Sequence, residues 1–334
     1  MQVDTALYGL ADSGDRARAL ESIGFDGVFA FEGPHDVFVP LVLAAEATDL
    51  RVWPNVAIAF PRNPVHLAHV SRDLQTLAGG KFALGLGTQI RTHVERRFGT
   101  EFSQPVDRMS DHIAAVRAIF AAWETGEPLD HRGPFRTHTL MTPMFNPGPS
   151  EWGPPPIHVG ALGPRMTEMV AADADGLLVM PFTSERYFEQ HTLAAVRAGL
   201  AHRREDLDSL EIVPELIICT GRDEAELAMA DDGCRALLGF YASTPAYRPV
   251  LEAEGRGEIQ PVLRDMTRAG RWDEMSALID DDLLAAISVR GTPSEVAAQV
   301  ARRYAAHAER VAVYMPYGAA DDLLGELVDA LHAC

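Results

Sequence analysis

Short apolar runs begin near residues 2, 27, 51 and 81, each followed by a helical pattern that leads into the next run, and this alternation limits the possible folds more than any other feature. Runs such as GVFAF (Gly27 to Phe31) lack the polar alternation of a half-exposed strand and read as strands covered on both faces. Parallel strands need long crossovers, and a helix is the usual one. Further runs begin near residues 157, 176, 211 and 310, and GLLVMP, ELIICT and VAVYM among them are again apolar on both faces. Eight strand–helix units predict an α/β fold, a (β/α)8 TIM barrel. A doubly wound sheet would place Gly-x-Gly-x-x-Gly after the first strand, whereas Tyr8-Gly9-Leu10-Ala11-Asp12 stands there.

Punctuation residues support the same division. Asn63 is a good N-cap with Pro64 at the first helical position, Gly79-Gly80 closes that helix, and Thr292-Pro293-Ser294-Glu295 is a capping box. Pro54 is out of place in a central strand, here read over Arg51 to Phe60, because it cannot donate to the ladder. Two excursions break the spacing, at about 105–156 and 223–289. The first holds an amphipathic helix over Arg108 to Trp123 and then a Pro- and Gly-rich stretch with a short hairpin; the second is almost all helical pattern. Both are expected as insertions at the carboxyl-end face, roofing the barrel mouth of a single domain over residues 1–334.

In a barrel the residues just past each strand share one mouth, so chemistry is sought there. Glu32 and His35 follow the second strand and suit a proton donor with its orienting partner, or a helix cap facing solvent. In KFALGLGTQIRTH, Gly85 and Gly87 let a ligand approach the backbone, and Thr88, Gln89, Arg91 and His93 follow at once. Gly160-Ala161-Leu162-Gly163-Pro164 opens a helix whose free N–H groups form an anion site without a lysine. That would supply a local exception in a chain of formal net charge −19, whose 48 acidic and 29 basic residues disfavour nucleic acid and anionic membrane as partners. His35, His93 and His158 come from separate strands at no ligand-like spacing, so no metal is expected. Cys219, Cys234 and Cys334 form no disulfide framework, and no apolar run reaches the roughly 18 residues of a spanning helix, so a reducing cytoplasm is the expected compartment.

VAIAFPRNPVHLAH, DLQTLAGGKFALGLGTQ, PPPIHVGALGPRMTEMVAADADGLLV and VRGTPSEVAAQVARRY occur in the order found in the bacterial luciferase-like superfamily, the flavin- or deazaflavin-dependent barrel oxidoreductases, which the chain resembles from end to end. The VGALGP turn is most similar to that of the coenzyme F-420-dependent branch. This resemblance implies hydride transfer by a deazaflavin, with Gly160, Ala161, Leu162, Gly163 and Pro164 near its tail phosphate. It also implies a non-prolyl cis peptide around Val56-Ala57 against the deazaflavin face; Thr88, Gln89 and His93 are expected beside the cofactor from their place just past the fourth strand. Some members carry a strand-two histidine, which His35 matches, and a strand-four carboxylate, where Gln89-Ile90 stands here, leaving Glu32 to take that part. The alternatives are an FMN-dependent two-component monooxygenase on the same barrel, or a barrel that binds a small ligand without turnover. The superfamily's habit implies a homodimer acting on a small-molecule substrate.

Overall fold

The computed structural model describes residues 1–334. Its strands are β1 (Gln2–Ala6), β2 (Gly27–Ala30), β3 (Arg51–Pro54), β4 (Ala57–Ile58), β5 (Leu84–Gly87), β6 (His131–Arg132), β7 (Thr137–His138), β8 (Ile157–Ala161), β9 (Gly176–Val179), β10 (Glu211–Thr220), β11 (Val289–Gly291) and β12 (Arg310–Tyr314). The parallel ring runs β3-β2-β1-β12-β10-β9-β8-β5-β4, and a Val52–Phe82 bridge ties β3 back to the segment before β5. Taking β3 and β4 as halves of one interrupted strand leaves the eight staves of a TIM barrel. The strand read over Arg51 to Phe60 is therefore corrected to two short pieces, and the break falls directly after Pro54.

The helices are α1 (Ser13–Ile23), α2 (Phe38–Ala47), α3 (Pro64–Leu77), α4 (Arg91–Arg96), α5 (Pro105–Thr125), α6 (Pro164–Asp173), α7 (Glu185–Tyr187), α8 (Leu193–Leu200), α9 (Glu224–Ala242), α10 (Arg248–Ala253), α11 (Ile259–Arg268), α12 (Asp281–Ile287), α13 (Pro293–Tyr304) and α14 (Asp321–His332). One π-helical turn, Phe188–Thr192, joins α7 to α8. Asn63 caps α3 by accepting from the Val65 N–H at 2.8 Å, and the Thr292–Glu295 capping box starts α13. No helix is long and apolar enough to cross a membrane.

The main core lies between the sheet and its helices, where Leu20, Leu41, Leu67, Val116, Val300 and Leu327 are fully buried. Inside the barrel the side chains stack in layers, as the strand period of two requires. The middle layer is Ala6, Phe29, Trp53, Ala83, Leu178, Val213 and Ala312. Below it, at the amino end, is a polar plug. Asp4 accepts from the Trp53 indole at 2.7 Å and from Arg310, while Glu211 joins Arg51 at 2.7 Å and His158 at 3.1 Å. Glycines make room for it: a Cβ on Gly27 would meet Asp4 Oδ1 at 2.5 Å, and one on Gly176 would meet His158 Cδ2 at 2.5 Å.

The second excursion builds its own small core on the carboxyl ends of β9 and β10, with Phe182, Ile217 and Cys219 packed against Leu238, Leu251 and Leu263. The first divides. Its β6–β7 hairpin reaches the mouth, where Arg136 donates to the Phe60 carbonyl at 3.2 Å. The stretch after it runs down the outside instead, with Arg72 donating to the Pro149 carbonyl at 3.0 Å and Glu124 accepting from the Ser150 N–H. The expectation that both excursions roof the mouth is thus narrowed to the hairpin and the second excursion.

Candidate active site

Above the middle layer the barrel interior changes character. Strand parity carries Phe31, Asn55, Glu215 and Tyr314 into the upper layer, over Phe29, Trp53, Val213 and Ala312. Phe31 and Tyr314 stand edge to face at 6.3 Å, and Tyr8 joins both, at 5.8 and 6.0 Å. A second trio comes from beyond β9 and from the second excursion: Phe182, Tyr241 and Tyr247, with centroids 5.8 to 6.1 Å apart.

Glu215 lies between the trios. Its charge acts on the hydroxyls of Tyr8, Tyr241, Tyr247 and Tyr314, all pushed up by burial first. No cation pairs with it; its one hydrogen bond is from Asn55 Nδ2 to Oε2, at 2.8 Å. Walled in by protein yet partly open to the mouth, the carboxyl is raised to about 8, because burial opposes its charge more than the Asn55 amide favours it. The reading of ELIICT as apolar on both faces passed over its first residue. Its signal was there: Glu211, Val213 and Glu215 alternate onto one side of the strand.

The third stave supplies a floor. The peptide bond between Asn55 and Val56 is cis, one residue earlier than the expected Val56-Ala57. Val56 is half-buried and lies across the glycines of β5 and β8; a Cβ on Gly87 would overlap Val56 Cγ2, and one on Gly160 would come within 3.2 Å of Val56 Cγ1. A Cβ on Gly85 would overlap the Pro54 carbonyl oxygen. Gly85 and Gly87 therefore seat the Pro54–Val56 bulge, which stands between them and any ring at the mouth. Ala57 is fully buried in β4, paired with Leu86, so Val56 alone of that pair faces the mouth.

Gly160 and Ala161 belong to β8 and not to the following turn. The turn is Leu162-Gly163, with Gly163 as the N-cap of α6 and Pro164 at its first position. Gly163, Pro164 and Arg165 are exposed, a Cβ on Gly163 would touch nothing within 4 Å, and no acid lies in the first turn. Arg165 pairs with no carboxylate. A helix amino terminus with an unpaired guanidinium suits a phosphate.

Glu32 and His35 are not brought together. Glu32 accepts from Arg62 and from the Ile58 N–H at 3.1 Å, which ties the end of β2 to β4. His35 stands exposed on the rim with no hydrogen bond. Thr88 and Gln89 are half-buried at the end of β5; Gln89 has φ +58° and folds its Oε1 back onto the Ile90 N–H at 2.9 Å. His93 is exposed on α4, where Arg91 pairs with Glu95 at 2.9 Å.

An apolar ledge, an exposed helix amino terminus beside an unpaired guanidinium, and one carboxyl without a cation among aromatic rings thus stand at the carboxyl ends of the strands. The family model described as luciferase-like monooxygenase matches residues 2–310. An uncharacterised protein of Mycobacterium tuberculosis is 44% identical over 303 residues, covering 90% of this chain and 89% of the relative. The F-420-dependent glucose-6-phosphate dehydrogenase of Nakamurella multipartita is 26% identical over 288 residues, covering 82% and 80%. The coenzyme F-420-dependent tetrahydromethanopterin reductase of Methanopyrus kandleri has the same fold, with a TM-score of 0.82 at 18% identity over 99% of this chain and 98% of that one.

Proposed function

The chain belongs to the luciferase-like monooxygenase family, and from that premise we propose that it is a deazaflavin (coenzyme F-420)-dependent oxidoreductase that moves hydride to or from a small organic substrate. The observation that carries the reading is the ledge of Val56 over Gly87 and Gly160, the latter three residues before Gly163, the N-cap at the open amino terminus of α6. Ledge and helix terminus together offer a flat ring its support and a tail phosphate its charge partner. The curated relative whose name includes F-420 supports the choice among the family's cofactors.

When bound, the cofactor supplies a ring carbon that gives or accepts hydride. The chain does the rest. Val56 would support the ring from below, and the Gly163 and Arg165 N–H groups together with the Arg165 guanidinium would hold the phosphate, Pro164 having no N–H and serving to start the helix. The two aromatic trios line the space with ring faces, against which an apolar substrate would pack. Glu32, fixed by Arg62, positions β4 and through it the ledge. His35 and His93 stand at the rim, where a substrate or cofactor would pass them on entry. The same reading takes the protein as a homodimer, which light scattering tests.

Titration of the purified protein with coenzyme F-420 and with FMN tests the reading. Quenching of cofactor fluorescence and a raised melting temperature are expected with the deazaflavin. Tight binding of FMN alone would overturn it in favour of a two-component monooxygenase; binding of neither would favour a ligand-binding barrel without turnover. Gly163→Trp should weaken the deazaflavin without lowering the melting temperature, since the space at its Cβ is open.

A further inference from the structure

Asn55 and Val56 are successive residues with separate tasks. Val56 forms the ledge, and the Asn55 amide holds Glu215 Oε2 at 2.8 Å. The hydrogen bond fixes the carboxyl at a set place relative to the ledge, where a ring carbon would exchange hydride. With Oε2 accepting from Asn55, the proton of the neutral acid resides on Oε1, which has no partner in the chain and is not sealed from the mouth. The surroundings contain no other charge: four tyrosine hydroxyls, two phenylalanine rings and the thioether of Met180, whose sulfur receives the Tyr247 hydroxyl at 3.9 Å. The other carboxylates inside the barrel, Asp4 and Glu211, have arginine partners, and so has Glu32 at its rim.

We propose that Glu215 is the proton donor to the oxygen of an uncharged ketone or aldehyde whose apolar, ring-bearing body lies between the two aromatic trios. The proposal rests on the reading of a hydride carrier at the ledge. A hydride from the reduced deazaflavin forms the new C–H bond at the carbonyl carbon, and the C=O π pair becomes an O–H bond with the Oε1 proton. The products are the alcohol, the Glu215 carboxylate and the oxidised deazaflavin, whose ring N–H proton leaves for water as hydride departs; a proton taken back from water restores the Glu215 acid. In the opposite direction the carboxylate takes the alcohol proton as hydride leaves the carbon. A cation is the poorer occupant, since it would first have to drive the proton off a carboxyl that burial keeps neutral at pH 7.

The test needs no cofactor. Binding of 4-fluoroacetophenone to the protein is followed by fluorine NMR from pH 6.5 to 9.5, for the native chain and for Glu215→Gln, with 4-fluorobenzylamine as the cationic comparison. The ketone should bind the native protein at low pH and weaken about tenfold per unit above pH 8. Glu215→Gln, whose amide still donates, should bind it with a flat profile. The same profile in both proteins, absence of ketone binding, or tighter binding of the amine would overturn the proposal. Loss of deazaflavin binding in the separate fluorescence titration would refute the cofactor reading and leave the ketone profile standing, so the two failures are distinguishable.

Discussion

The glycines of β5 and β8 make a graded prediction, because each is filled differently by the third stave. In Gly87→Ala the new methyl overlaps Val56 Cγ2 and stands 3.2 Å from Val56 Cβ. Restoring ordinary carbon–carbon contact of about 3.5–4.0 Å requires the Val56 methyl to retreat by roughly 1.2–1.7 Å, away from β5. Overpacking of this kind costs about 1–3 kcal/mol. If the displaced valine enters the space of the ring, the cost appears in binding as a loss of about 10- to 100-fold in affinity for the deazaflavin. Gly160→Ala meets Val56 Cγ1 at 3.2 Å, a few tenths of an ångström too close, and should cost less than about 1 kcal/mol. Gly85→Ala meets a backbone oxygen that cannot yield, and that chain should not accumulate as folded protein. Affinity is read by fluorescence quenching and stability by thermal melting. Removing the Val56 methyls in Gly87→Ala/Val56→Ala should recover most of the lost stability, with the single Val56→Ala variant closing the cycle. Unchanged melting and unchanged affinity in Gly87→Ala, or a double variant as impaired as the single one, would refute the account of the ledge.

Glu215 should destabilise the fold at high pH. Its folded value lies above its unfolded one, so the native state binds the extra proton between about pH 4.5 and about pH 8 and loses stability as pH rises through that window. Glu215→Gln should therefore match the native chain near pH 4 and melt progressively higher above it, with the gap saturating past pH 8; parallel melting curves would contradict this. Glu211 has the opposite sign. Burial alone would raise it, but hydrogen bonds and charge from His158 and Arg51 hold it well below the usual carboxylate range. Its contribution is present above about pH 4.5 and is lost only as acid protonates it, so Glu211→Gln should flatten the acid limb of the melting profile. Gly176→Ala presses a methyl 2.5 Å from His158 Cδ2 and should cost about 1–3 kcal/mol in denaturant unfolding, with no effect on deazaflavin affinity.

The staves were legible because burial on both faces leaves a run of apolar residues, and the helix starts at Asn63-Pro64 and Thr292 because capping is local chemistry. Pro54 signalled the break in the third stave, but the position of the cis bond depends on how Gly85 and Gly87 across the ladder receive the bulge, which no local rule encodes. Glu32 and His35 drew notice by lying close in sequence at a strand end. Their fates were set elsewhere, by Arg62 on the next stave and by an exposed rim. Glu215 was hidden because attention to an apolar run suppresses the one charged residue in it. Strand parity would have placed it inside, but only the aromatic residues of the second excursion, distant in sequence, give it its environment. The helix start at Gly163-Pro164 was legible from the proline and glycine, while Arg165, exposed beside it and without a carboxylate partner, went unremarked.

The amino-end plug joins the first strand to the last. Asp4 is fully buried, and the guanidinium that neutralises it belongs to Arg310, 306 residues later in the chain. During synthesis, β1 leaves the ribosome long before its counter-charge exists, and a carboxylate without its partner is expensive to bury. The barrel thus withholds completion until its eighth stave is available, so a nascent chain stalled before Arg310 should remain bound to chaperones and sensitive to protease. A pair of opposite charges at the floor of the barrel in this way ties completion of the fold to the end of synthesis.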